Sequence, residues 1–135
     1  MSDGQIADDE VLYRRIPSGE SWFQPPDRIT SGNFKLQGDE LGISVYRAVA
    51  VDAAGVLSDS RAKPGSRVAQ TTAGQVRAAR DGKGNPLNLD VVSINDENDA
   101  GHAEIRGSAL GVYPSIAAKA LRDLFKLVEP PPRQL

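Results

Sequence analysis

His102 is the one histidine in a chain of 135 residues, and imidazole is the side chain best placed to exchange protons near neutral pH. It follows the acidic run Asp96-Glu97-Asn98-Asp99 and opens a predicted strand, His102–Arg106, that also carries Glu104. His102 or Glu104 could therefore serve as a general acid or base. Arginines supply a second kind of chemistry. Arg14, Arg15, Arg28 and Arg47 lie in the first half of the chain, and Arg15 and Arg28 flank a loop containing Trp22 and Phe23. A planar guanidinium in such a place can clamp a phosphate or carboxylate through paired hydrogen bonds, and Ser31 could add a hydroxyl donor. Together Arg15, Arg28 and Ser31, with His102 or Glu104, would make a pocket for a small anionic ligand or a nucleotide. The plainer readings are an imidazole bonded to a backbone carbonyl and arginines laid over Trp22 or Phe34.

Most other reactive arrangements are missing. The sequence has no cysteine, which removes thiol catalysis, thiolate-bound zinc and disulfides together, and it favours a reducing, cytoplasmic setting. One histidine cannot build a multi-histidine metal site. The run Asp96 to Gly101 starts like a calcium loop. It would place Ala100 and Gly107 where oxygen ligands belong, so no metal is expected. Gly82-Lys83-Gly84 lacks phosphate-loop spacing, and no Gly-x-Gly-x-x-Gly follows a strand, so no cofactor is expected either. No Gly-x-Ser-x-Gly elbow is present. The function expected first is thus a non-catalytic binding or accessory domain acting through a protein partner, with self-association open. A small-ligand or nucleotide enzyme is the alternative.

The formal charge is −2 and the pI near 5.4, which gives no general attraction to nucleic acid or anionic lipid. The exception is local: Arg61, Lys63, Arg67, Arg77, Arg80 and Lys83 face one acid, Asp81, across residues 61–83. That stretch is a third, weaker reading as a nucleic-acid surface. No apolar run approaches the roughly 18 residues of a membrane span, and the acidic start MSDGQIADDE is no signal peptide.

These side chains need elements to hold them. With 39% hydrophobic and 25% charged residues, the chain reads as a single α+β domain over residues 11–129, between a flexible tail, 1–10, and a Pro-rich tail, 130–135. Strands are expected at Val11–Ile16, Leu41–Tyr46, Arg67–Thr71, Leu87–Ile94 and His102–Arg106. Asp52 can cap a short helix to Ser58. Thr72 and Gln75 form a capping box for Ala73–Arg80. Pro114 or Ser115 opens a final helix whose apolar face, Ala117, Leu121, Leu124 and Val128, repeats at helical spacing. Trp22, Phe23 and Phe34 plug an edge of the core. The sum is a mixed or antiparallel sheet of about five strands with two or three helices, the last packed on one face.

Several segments together resemble a family of small bacterial proteins with no established activity. They are Leu12-Tyr13-Arg14-Arg15, Arg28 through Phe34, Ile43-Ser44-Val45, Thr72 through Arg77, and Asn98 through His102-Ala103 to Gly107. The chain departs from the family pattern at Ile29, where that pattern has proline, and by one extra residue between Asn98 and His102. The order Arg, Ser, Glu along the strands is also loosely similar to that of ADP-ribosyl-transferring folds.

Overall fold

The β-rich run Val11–Ile16 forms β1, and its alternation buries Leu12 and Ile16 completely. It is an interior strand of a six-stranded sheet. The computed structural model describes residues 6–24, 28–58, 65–94 and 101–128. Within them the chain continues as β2 (Phe23–Gln24), β3 (Arg28–Ile29), a 3-10 turn (Ser31–Phe34), β4 (Ile43–Arg47), α1 (Ala53–Ser58), β5 (Arg67–Thr72), α2 (Ala73–Arg77), β6 (Asp90–Ser93), β7 (His102–Arg106), α3 (Ala109–Val112), α4 (Pro114–Leu124) and β8 (Lys126–Leu127). The large sheet runs β6-β7-β4-β1-β5-β8, and β2-β3 make a separate two-stranded ribbon. Every neighbouring pair is antiparallel. This is the α+β fold expected from the sequence, with six strands in the main sheet instead of about five. Among the described residues no helix is long and apolar enough to cross a membrane.

The two faces of the sheet are unequal. Leu12, Ile43, Val45, Ala69, Val91, Ala103 and Ile105 join Phe34, Phe125 and the buried face of α4 (Ala117, Ala118, Leu121) in one large core. Phe23 and Phe34 are buried in this core with Trp22 packed against it, as expected, and the Phe34 ring lies 4.9 Å from that of Phe125. On the opposite face α1 brings Val56 and Leu57 over Val68, with Tyr13 and Tyr46 beside them. α1 starts as expected, the Asp52 carboxylate accepting the Gly55 amide at 2.7 Å. α2 has the capping box read from Thr72 and Gln75.

Three expectations need correction. Residues 6–10 are not tail: Ile6 is fully buried in the main core, and Glu10 holds Arg47 at 2.6 Å. One isolated isoleucine offers no periodicity from which to read this. The strand assigned to Leu87–Ile94 starts only at Asp90, because Asn88 turns left-handed at φ 55°. The final helix ends at Leu124, short of Val128. Phe125 leaves helical geometry to reach Phe34, and Lys126–Leu127 pairs with β5 through Gln70 and Ala69. A two-residue strand is too short to show the alternation that would separate it from one more helix turn. The loop Asn95–Ala100, residues 61–64 of the basic stretch and the 130–135 tail lie outside the described residues.

If residues 6–10 belong to the domain, Ile6→Ala should lower the unfolding free energy by about 2–5 kcal/mol. Leu41→Ala, at a side chain 72% exposed, should change it by less than about 0.5 kcal/mol. Urea unfolding followed by fluorescence of Trp22 measures both.

Candidate functional site

β1 is paired with β5 along all six of its residues but with β4 at only Leu12–Arg47 and Tyr13–Tyr46. Carried on, that register would set Ser44 opposite Arg15. The ladder stops short of it. The Ser44 carbonyl accepts Nη1–H of Arg14 at 2.7 Å, and Nη2–H of Arg14 reaches the Asn33 carbonyl at 2.6 Å. A side chain thus spans the place where the backbone rungs end. A cleft of about 430 Å³ opens there, walled by β1 and β4 on one side and by Trp22, the 3-10 turn and Lys35 to Glu40 on the other.

Arg14 lies on the main core face, between Leu12 and Ile16, with its guanidinium 6.0 Å from the Phe34 ring. Burial pushes its pKa down to about 10, only partly opposed by the charge of Glu40. Its hydrogen-bond partners are neutral carbonyls. Among the described residues its buried Nε–H meets no acceptor, and neither does the buried Oδ1 of Asn33 meet a donor. Asn33 itself is fixed by Nδ2 bonds to the carbonyls of Trp22 and Thr30 at 2.7 and 3.0 Å. Buried polar atoms without partners are rare in folded proteins. Two such atoms come from residues lining one cleft.

The other face of the opening carries Arg15, Ser44 and Tyr46. Nη2–H of Arg15 donates to the Tyr46 hydroxyl at 3.3 Å, and its guanidinium lies 5.7 Å from that ring. β7 stands next to β4 with His102 opposite Tyr46 and Glu104 opposite Ser44. His102 Nε2 lies 3.2 Å from Ser44 Oγ, and its ring is 6.1 Å from that of Tyr46. The close fit of β7 to the end of β4 depends on Gly101: at φ 79° its carbonyl accepts the Arg47 amide at 2.8 Å. A Cβ there would lie 2.9 Å from that of Ala50.

Of the residues singled out from the sequence, Arg15 lines the cleft and His102 stands behind its Ser44 wall. Glu104 is engaged by Arg106 at 2.7 Å. Arg28 is exposed on β3, and Ser31 begins the 3-10 turn without being among the cleft-lining residues. Arg47 is paired with Glu10, whose hydrogen bond raises its pKa. Within the basic stretch, Arg77 binds Asp8 and Asp90, and Arg67 lies over Phe23 at 5.2 Å. Sequence reasoning overlooked Ser44, Tyr46, Asn33 and Lys35. The polar side of β4 was legible; that it faces His102 depends on strand order, which periodicity does not encode. Searches of protein-family models, curated proteins and solved structures return no match to this chain.

The depressed pKa of Arg14 has a definite consequence for stability. The folded state gives up this proton near pH 10, well below the ordinary arginine range of the unfolded chain. The charge therefore burdens the fold below about pH 10, and the burden lifts as pH rises above that. Arg14→Met should unfold within about 1 kcal/mol of wild type at pH 7, or be more stable, since relief of desolvation offsets two orphaned carbonyls. The wild type should gain on the variant between pH 10 and 12. A loss above about 2 kcal/mol at pH 7 would instead mark Arg14 as structural.

Proposed function

We propose that this domain binds a small oxyanionic molecule, bearing a phosphate or carboxylate, in the cleft between β1 and β4, with Arg14 as its anchor. The observation that carries this reading is a half-buried guanidinium on the cleft wall, held by two neutral carbonyls, with a buried Nε–H that has no acceptor among the described residues. A partly desolvated charge attracts an anion more strongly than one at the surface, and part of its desolvation has been met during folding. Arg15 and Lys35 add positive charge to the lining. Glu40 is the acid among those residues, and the Gln37 amide donates to its carboxylate at 2.6 Å. Trp22 and Tyr46 supply aromatic surface, and the volume lies within the ~300–1,000 Å³ common for small-molecule sites. Two segments that carry the sequence resemblance, Leu12 to Arg15 and Ile43 to Val45, contribute the walls.

This reading keeps the small-ligand pocket anticipated from the sequence and replaces Arg28 and Ser31 with Arg14 and Ser44. Calorimetric titration with inorganic phosphate, pyrophosphate and adenosine monophosphate tests it. At least one should bind saturably, more weakly as salt rises, and Arg14→Met should weaken it at least tenfold, as loss of a charged hydrogen bond worth about 1.5–3 kcal/mol implies. No heat with any of the three, or equal binding by the variant, would remove the reading.

A second reading, docking of a protein partner, is favoured by a separate surface. At the α3–α4 corner Val112, Tyr113 and Ile116 are 64%, 57% and 45% exposed. Tyr113 and Ile116 border a depression of about 600 Å³ that also holds Pro86 and Leu87. Contiguous apolar exposure of this kind marks interaction surfaces. A partner retained from native lysate by wild type should be lost with Ile116→Glu and kept by Arg14→Met. Retention by both variants would place the contact elsewhere.

A further inference from the structure

The hydroxyl and imidazole beside the cleft are arranged for covalent chemistry, and we infer that Ser44 is a nucleophile toward phosphate esters with His102 as its general base. The inference rests on the oxyanion reading of the cleft and adds a reaction to it. Ser44 is a cleft-lining residue, and Nε2 of His102 lies 3.2 Å from its Oγ, within reach for proton transfer. The pair is diagonal across two strands: Ser44 faces Glu104 and Tyr46 faces His102, so both side chains share one face of the sheet with Arg15. Rigid strands hold nucleophile and base more precisely than loops would. Glu104 is not the third member, because its carboxylate accepts Nε–H and Nη2–H of Arg106 at 2.9 and 2.7 Å.

Phosphate esters suit this surrounding better than neutral acyl groups. Phosphoryl transfer depends chiefly on positioning and on positive charge around the equatorial oxygens, and Arg14, Arg15 and Lys35 are the cations of the lining. In the forward step a bond forms between Ser44 Oγ and phosphorus while the bond from phosphorus to the alcohol oxygen breaks. The serine proton moves to Nε2 of His102 and from there to the departing alkoxide. Water, deprotonated by the same nitrogen, then cleaves the phosphoserine. Inorganic phosphate leaves and Ser44 regains its proton.

A fluorophosphonate probe reads the nucleophile directly, because attack forms the Oγ–P bond and expels fluoride. Peptide mass spectrometry should locate the adduct on Ser44. Its rate of formation should fall about 100-fold in His102→Ala and in His102→Gln, the size expected for loss of a general base. His102→Gln keeps a polar group beside Ser44, and circular dichroism confirms that both variants stay folded. Hydrolysis of para-nitrophenyl phosphate should vanish in Ser44→Ala, while Arg14→Met should chiefly raise KM. No adduct on Ser44, or an adduct formed as fast in both His102 variants, overturns the inference. Phosphate titration of Ser44→Ala separates the two readings. Retained binding without an adduct in wild type leaves the cleft and removes the dyad. An adduct in a protein that binds no oxyanion does the reverse.

Discussion

The early end of the β1–β4 ladder governs the architecture of this domain. Two backbone pairings join these strands, and beyond them Arg14 connects them through the Ser44 carbonyl. β1 does not drift, because its other edge is fully paired with β5, and β4 is secured by four pairs to β7. The opening is therefore a fixed feature, held between two firmly paired edges. Its far wall is equally constrained. Asn33, which accepts from Arg14 through its carbonyl, is tied to Trp22 and Thr30, and the next residue, Phe34, is locked against Phe125. Core packing and cleft shape thus share residues, which is the usual basis of preorganisation.

Charge is distributed to the same end. Acidic side chains near the start of the chain are used within the molecule. Glu10, almost fully buried, meets Arg47, and Asp8 meets Arg77, which also binds Asp90. The Arg77 hydrogen bond is the main reason the Asp90 carboxyl lies below its ordinary pKa. The Glu10–Arg47 pair docks the first described residues on the sheet. The exposed Asp8 contact contributes little by itself, since solvent screens such pairs. Arg77 of the basic stretch is therefore engaged within the fold, which weakens the case for a basic face turned to nucleic acid. The cations that line the β1–β4 cleft are a separate set.

How much of this could be read from residues alone varied with the range of the interaction. Local signals did well. The Thr72–Gln75 capping box, the Asp52 cap, the β-rich run of β1 and the strand at His102 depend on neighbours a few positions apart. The aromatic loop around Trp22 was legible because so many large rings must find burial somewhere. Errors arose where a distant partner decides. Leu127 matches a helical stripe until Ala69 offers it a strand. Ile6 reads as tail until the main core closes over it. In the site, Arg15 and His102 stood out by residue type. Ser44 and Tyr46 did not, because a strand's polar side acquires meaning only from the strand laid beside it.

Arg14 is the position where the fold departs from local consistency. A guanidinium on the core face, flanked by Leu12 and Ile16, gives up hydration that two carbonyls replace only in part. If bridging β1 to β4 were its whole purpose, a continued backbone ladder would do it without burying a charge. The strand already has the right neighbours for that, since Ser44 would fall opposite Arg15. Natural sequences depart from local consistency mainly where activity demands it. The interrupted ladder, the half-buried cation and the unmatched Nε–H are three expressions of one departure. An oxyanion seated there would resolve them together, supplying countercharge and acceptor where the backbone leaves off.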